Sequence, residues 1–393
     1  MREKQNKALL PAGLRDILPP EAEREAKIRE ALADTFSVHG YERVKPPLIE
    51  FEEGLTSGAG AAMSGDTFRL MDPISQRMMG IRADMTTQVA RIAMTRLQGV
   101  PRPLRLSYTG EVLRIRGTQL RPERQFAQVG VELIGSDSAA ADVEIIGIAI
   151  ESLRGIGVPK LSLDLTIPSL ITALLKETDS LGDDQSPLRD ALDRKDVSAV
   201  KLLGHEYGDV LCHLMKSTGL ATKALNKMDE LRLPSGAASE LKRLKAVVEG
   251  ITDRVPDFKV TIDPVENRGF EYHTGVGFTF FAQGERGEIG SGGRYLATVE
   301  DAQSVEYQTE PATGFTLYVD TILRVLPDLT RTRRIFIPVG THIGELRDLR
   351  QGGWVTIGEV DITNDKEDEA RRLNCTHILK DGKPESIKPG LSS

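Results

Sequence analysis

The sequence predicts an α+β protein in three parts, and three observations carry that reading. Residues 108–135, YTGEVLRIRGTQLRPERQFAQVGVELIG, read as strand, polar loop, strand. Residues 169–257 are rich in Leu, Ala, Lys, Asp and Glu, with Gly182, Pro187 and Pro234 as punctuation, and suggest a run of helices. Residues 331–393 alternate short apolar runs with helical stretches, the pattern of a small α/β module. The expected parts are a core of residues 1–168 and 259–328, a helical insertion at 169–258, and the module at 331–393.

The elements follow in order. Residues 21–39 form a helix, because Ile28, Ala31, Leu32, Thr35 and Phe36 share one face and Gly40 ends it. Residues 41–50, YERVKPPLIE, are extended, since two prolines bar a helix. Phe68–Asp72 and Met78–Arg82 pair around an Asp-Pro turn, and a helix spans 85–97 with Thr86 and Thr87 in its first turn. The second strand of the 108–135 pair runs from Arg124 to Ile134. Its Arg124, Phe126, Gln128, Gly130 and Glu132 share one face, and Gln125, Ala127, Val129, Val131 and Leu133 the other. That polar face reads as a binding floor, with Gly130 letting a ligand approach the backbone. A helix at 140–156 and a strand at 161–166 complete the first part. Strands return at 259–262, 269–274, 277–282 and 288–289, followed by a helix from Ala312 to Leu326. Gly290-Ser-Gly-Gly293-Arg294-Tyr295 lacks the GxxxxGK[ST] pattern and reads as a tight turn. In the last module, IFIPVG, WVTIG and THIL are strands, with helices near 343–351 and 365–373.

Composition narrows the function. The chain has 393 residues, 39% hydrophobic and 28% charged, as ordinary globular proteins do. A net charge of −7 is no electrostatic footprint for nucleic acid. No apolar run reaches the length of a membrane span, and residues 1–14 lack a signal-peptide core, so the expected location is the cytoplasm. Cys212 and Cys375 are far apart and fit reduced thiols. The six histidines form no metal motif, and no cofactor is expected.

Four polar groups lie on or beside predicted strands. Arg82-Ala-Asp84-Met-Thr86 precedes a helix, where Asp84 suits an N-cap, a ligand contact, or both. Arg114, Arg116, Arg121 and Arg124 form either a solvated loop or an anion clamp. Gln128 and Glu132 occupy the floor. Asn267-Arg268-Gly269 leads into Tyr272, His273 and Gly275, a costly composition for a strand unless something approaches the backbone. Carboxylates, amide and hydroxyl groups and Arg268 together suit a zwitterionic amino acid.

In order along the chain, LRDILP (14–19), GYERVKPPLIE (40–50), IRADMT (81–86), segment 110–135, RGFEYHTG (268–275) and GGRY (292–295) resemble histidyl-tRNA synthetases over about residues 10–326. The resemblance implies the class II aminoacyl-tRNA synthetase core, an antiparallel sheet with flanking helices, dimeric through its first motif. Three departures stand out. The family's Glu that helps hold adenine is Arg116 here, its phosphate-contacting Arg aligns with Thr321, and the second aromatic of its histidine-binding motif is His273. The last module is short for an anticodon-binding domain. A pattern with amino-acid ligands kept and ATP ligands lost resembles the regulatory subunits of short-form ATP phosphoribosyltransferase. That resemblance implies a non-catalytic chain in a hetero-octamer with a catalytic subunit, which performs the first step of histidine biosynthesis, with feedback by histidine and no role for tRNA. By position it implies that Asp84, Thr86 and Gln128 meet the α-ammonium of L-histidine. Arg268 meets the carboxylate with Arg114 nearby, and Glu132, with Tyr272 and His273, meets the imidazole. The alternatives are an active histidyl-tRNA synthetase or an amino-acid adenylating enzyme.

Overall fold

The computed structural model describes residues 9–56, 58–176, 186–266, 272–300, 307–327 and 333–387. The chain divides into two compact units, Met1–Leu326 and Pro327–Ser393. The first unit begins with α1 (Glu21–Val38), β1 (Glu42–Arg43), β2 (Ile49–Phe51), α2 (Glu52–Thr56), a 3-10 segment, β3 (Phe68–Met71) and β4 (Met78–Ile81). There follow α3 (Thr86–Thr95), β5 (Leu104–Leu113), β6 (Gln125–Ile134), α4 (Ala139–Gly155) and β7 (Leu161–Thr166). A largely helical stretch holds α5 (Pro168–Lys176), α6 (Ser186–Asp193), α7 (Val197–Leu203), α8 (Gly208–Lys216), β8 (Gly219–Leu220), α9 (Ala221–Met228) and α10 (Ser235–Arg254). The unit closes with β9 (Lys259–Asp263), β10 (His273–Ala282), β11 (Gly290–Glu300), β12 (Tyr307–Tyr318) and α11 (Val319–Val325).

Among the described residues the main sheet runs β1-β5-β6-β12-β11-β10-β7-β9-β8. Every pairing from β5 to β7 is antiparallel, so the expected antiparallel sheet with flanking helices is what forms. Period-two alternation sorts β6 between two cores. Ala127, Val129, Val131 and Leu133 pack in one with α1, α4, α5 and α10. Phe126 and Ile134 pack in the other, with Tyr108 of β5 and Val89, Ala90, Ala93 and Met94 of α3. Helix α4 starts where the Ser138 hydroxyl accepts from Ala141 N, and it buries Ile145, Ile146, Ile150 and Leu153. Each such side chain contributes about 1.5–3 kcal/mol of transfer free energy.

Two expectations give way here. The Gly290–Tyr295 stretch is strand, not a turn. A Cβ at Gly290 would meet Leu317 of β12, and one at Gly292 would overlap the Gly314 carbonyl and the Phe278 ring, so the glycines allow close packing within the sheet. The helix expected from Ala312 is β12 as far as Tyr318, and only Val319–Val325 is helical. The alternation Thr313, Phe315, Leu317 against Gly314, Thr316, Tyr318 is a period of two, and β-branched and aromatic residues favour it. The two strands expected over 269–282 are one strand from His273, with a register irregularity between His273 and Gly277; residues 269–271 lie outside the described residues.

The second unit holds β13 (Arg334–Ile337), α12 (Ile343–Gln351), β14 (Val355–Gly358), α13 (Lys366–Arg372), β15 (His377–Lys380) and β16 (Lys383–Ser386). Its sheet runs β14-β13-β15-β16, parallel except at β16, which the sequence did not signal.

Candidate functional site

Four adjacent strands place the site by register. Tyr108 of β5 lies opposite Gly130 of β6, which lies opposite Thr316 of β12. Two residues along, Glu132 lies opposite Gly314, which lies opposite Gly293 of β11. These glycines make room for neighbouring side chains. A Cβ at Gly314 would overlap the Glu132 carboxylate, and one at Gly293 would overlap the His273 ring. A Cβ at Gly130 would overlap the Tyr108 ring, so the space there belongs to Tyr108 rather than to a ligand, against the expectation.

Glu132 is the hub. Tyr295 donates its hydroxyl to Oε2 at 2.9 Å, and Tyr108 donates to Oε1 at 3.3 Å. The Tyr108 oxygen also lies 2.7 Å from Thr316 Oγ1 and 3.5 Å from Thr86 Oγ1. Gln128 stands two pleat repeats away on the same face, beyond Gly130. Its Nε2 donates to Asp84 Oδ2 at 2.9 Å, and its Oε1 accepts from Met85 N at 3.2 Å. Asp84 Oδ1 accepts from Thr86 N at 2.8 Å, so Asp84 steadies the start of α3 while its other oxygen meets Gln128.

Burial sets the electrostatics. Gln128 and Glu132 are 0% and 1% exposed, so neither side chain of the expected floor meets bulk solvent in this arrangement. Burial, reinforced by the charge of Asp84, pushes the Glu132 carboxyl up to about 8 against the pull of its hydroxyl donors. Glu132 therefore carries a proton at neutral pH and can both donate and accept. Burial also pushes the Tyr108 and Tyr295 phenols well up, so both stay protonated donors.

Asp84, Thr86, Gln128 and Glu132 thus meet in one network. Tyr272 and His273 join its edge: their rings are 4.2 Å apart, and Tyr272 meets Tyr295 edge-on at 6.3 Å. Arg268 lies outside the described residues. Arg114 stands apart from the carboxylates, with Nε 3.4 Å from the Ala83 carbonyl and its guanidinium 5.2 Å over Phe126. The sequence reading singled out neither Tyr108 nor Thr316 for the site, and it took Tyr295 as part of a turn and of the GGRY motif, with no ligand role. Recognising β12 and β11 as strands beside β6 would have brought Thr316 and Tyr295 in.

Arg116 and Thr321 line a cavity of ≈ 330 Å³, with Arg114, Arg121, Arg286 and Arg324. Arg121 is 8% exposed, and its guanidinium lies 3.7 Å over the Tyr318 ring and 5.0 Å over Phe126. It reaches Thr321 Oγ1 at 3.4 Å and Asp320 at 3.5 Å. Its side chain fills the slot between Phe126, Tyr318 and Thr321. Arg124 is a structural anchor, donating to the Arg114 and Ala12 carbonyls. Arg82 does likewise with the carbonyls of Glu111 and Pro46.

Comparison with known proteins shows what the chain is similar to. A family model described as histidyl-tRNA synthetase matches residues 13–322. The chain is 50% identical over 381 residues to the ATP phosphoribosyltransferase regulatory subunit of Rhodospirillum centenum, covering 97% of each. It is 44% identical to that of Rhodospirillum rubrum, covering 97% of this chain and 98% of the relative. The fold is similar to a Bacillus halodurans structure titled as an ATP phosphoribosyltransferase regulatory subunit/histidyl-tRNA synthetase, with TM-score 0.79, 23% identity, and 95% and 98% of the two chains covered. It is also similar to the histidyl-tRNA synthetase of a Nostoc species, with TM-score 0.75, 18% identity, and 97% and 95% covered.

Proposed function

The chain belongs to the family of ATP phosphoribosyltransferase regulatory subunits, within the wider histidyl-tRNA synthetase family, and from that premise we propose that it is a non-catalytic subunit that binds histidine and conveys feedback to a separate catalytic phosphoribosyltransferase. One observation carries the reading. A buried Glu132, held between two tyrosine hydroxyls, lies beside the Gln128–Asp84 pair, and its burial favours the neutral carboxyl. A neutral imidazole offers one donor and one acceptor, and a neutral carboxyl can match both. Asp84, Gln128 and Thr86 suit the α-ammonium, and Tyr272 and His273 suit the ring's edge. Arg268, with Arg114 nearby, would take the carboxylate.

The Arg121-filled slot supports a chain that does not activate its amino acid. ATP would have to displace a packed guanidinium and then find Arg116 and Thr321 where the synthetase resemblance implies a Glu and an Arg. Catalysis would lose preorganised charge stabilisation, usually its largest component. The assembly we propose is a hetero-octamer in the cytoplasm, serving the first step of histidine biosynthesis without tRNA, membrane or cofactor. Self-association through the core agrees with exposed Leu48, Ile49, Phe51, Met71 and Ile74 on and beside the β2-β4-β3 sheet. Among the described residues no helix is long and apolar enough to cross a membrane.

The test is a phosphoribosyltransferase assay of the catalytic partner, with and without this chain, across a histidine titration. The expected result is activity that depends on the chain and falls with histidine. Unchanged activity together with no histidine binding overturns the reading, as does histidine-dependent exchange of pyrophosphate into ATP by the chain alone.

A further inference from the structure

The two edges of the second unit's sheet are built differently. At one edge β16 reads Lys383-Pro384-Glu385-Ser386, and Lys and Pro are residues that keep an open edge from pairing with another chain. At the other edge β14 reads Val355-Thr356-Ile357-Gly358, with no charge and no proline. In its parallel register with β13, Val355 N bonds to the Arg333 carbonyl and Glu359 N to the Ile337 carbonyl. That register turns the N–H and C=O groups of Thr356 and Gly358 outward. A Cβ at Gly358 would meet nothing, so the space beside this backbone is open.

Cations overhang the open edge. Helix α12 packs through Leu346 and Leu349, and on one flank its Ile343, Arg347, Arg350 and Gln351 line a shallow hollow of ≈ 430 Å³. That flank faces β14, because Arg350 Nε donates to Thr356 Oγ1 at 2.9 Å. Arg333 adds a third guanidinium, 4.3 Å over the Trp354 ring at the start of the strand. None of the three forms an ion pair among the described residues. The carboxylates of α12, Glu345 and Asp348, project from its opposite flank at helical spacing. Glu359, just beyond the strand, accepts from Val339 N and Thr363 N. A second copy fits this edge poorly: two β14 strands paired about a twofold axis would set their basic flanks against each other.

We propose that the open edge of β14 takes an extended acidic segment of a partner protein as an added strand. Its backbone pairs with Thr356 and Gly358, and its carboxylates on the α12 face meet Arg347 and Arg350. Its apolar residues on the other face lie beside Val355, which is 38% exposed. The outward N–H and C=O groups call for a peptide rather than a nucleic acid, which has the charge but not the matching backbone. The edge is separate from the Glu132 network, so either reading can fail while the other stands.

Trp354 is the chain's single tryptophan and stands immediately before β14, so its fluorescence reports on this edge. The experiment titrates the full chain with a capped octapeptide of alternating Asp and Val. The expected result is a saturable change in fluorescence by about 1 mM peptide, a low bar for affinity, with binding that weakens as salt is added. A Lys-Val counterpart should give no such change. Arg347→Glu/Arg350→Glu should weaken binding by about tenfold or more, the worth of one charge-assisted contact. Both residues are exposed, so the unliganded melting temperature should stay at the native value. Gly358→Pro removes an outward N–H and no ladder bond, and should weaken binding as well. Methylating alternate backbone nitrogens of the peptide leaves its charge intact and should abolish binding. Absence of saturable change by about 1 mM overturns the proposal. So does equal binding of the Lys-Val or the methylated peptide, binding undiminished in the arginine variant, or an oligouridylate that binds more tightly than the Asp-Val peptide.

Discussion

Tyr295 donates its hydroxyl hydrogen to Glu132 across the intervening strand β12, at 2.9 Å, and the bond exists because β12 carries Gly314 where the two side chains cross. Donor and gap come from two consecutive strands, β11 and β12, and the acceptor from β6, far away in sequence.

The buried proton on Glu132 sets a pH dependence. Below its ordinary value of 4.5 the carboxyl is protonated both folded and unfolded, and it adds nothing. Between 4.5 and about 8 the unfolded chain releases the proton while the folded chain keeps it, so this group lowers stability as pH rises. Above about 8 the penalty is constant. Glu132→Gln removes it, so the melting temperature of the variant minus that of the native protein should climb between pH 5 and pH 8. A difference that stays flat over this range would contradict the buried proton.

Gly314→Ala places a methyl group on the Glu132 carboxylate and on the Val131 carbonyl. Overpacking of this kind typically destabilises by about 1–3 kcal/mol. Urea unfolding should show an earlier midpoint with little change in slope, and calorimetry should show weakened histidine binding. A native midpoint with native histidine affinity would rule the crowding out.

Gln128 holds two partners, and Gln128→Ala strands both. Met85 N loses its buried acceptor and Asp84 Oδ2 its donor, a loss of about 1–3 kcal/mol. Gln128→Glu restores the acceptor for Met85 N but sets a second carboxylate against Asp84, so it should bind histidine no better than the alanine variant at neutral pH. Recovery of histidine affinity by Gln128→Glu would refute the pairing with Asp84.

Arg294 and Asp142 form an ion pair at 2.9 Å with side chains only 2% and 1% exposed. Arg294→Met leaves a buried, unpaired carboxylate and should destabilise by about 3–5 kcal/mol. Arg294→Met/Asp142→Leu removes both charges and should recover much of that loss in denaturant unfolding. A double variant as unstable as the single would place the effect in the Arg294 bonds to the Ser136 and Ser138 carbonyls instead.

Much of this was legible in sequence where a period was clean. The helix at Glu21–Val38 and the strand at Leu161–Thr166 lie where apolar spacing put them. Gln128 and Glu132 share a face because strands alternate, and Asp84 precedes a helix because its type suits that place. What escaped depended on partners that spacing does not name. Ala312–Tyr318 has enough small and apolar residues to read as helix, and its place between β6 and β11 settles the competing period of two as strand. Gly290, Gly292 and Gly293 looked like a turn because glycine's use in close sheet packing leaves no local mark. Thr316 and Tyr108 entered the site through cross-strand register, a relationship between residues about two hundred positions apart.

Arg121 covers the Tyr318 face from a backbone anchored a few residues away. A planar ring arriving from solution must compete with an occupant whose local concentration is set by its tether, about millimolar for a loose linker and higher for a packed side chain. Free ligand at ordinary cellular levels contends with that resident cation at every encounter. The aromatic slot is therefore occupied in the resting chain, and a planar ligand can enter it only by displacing Arg121.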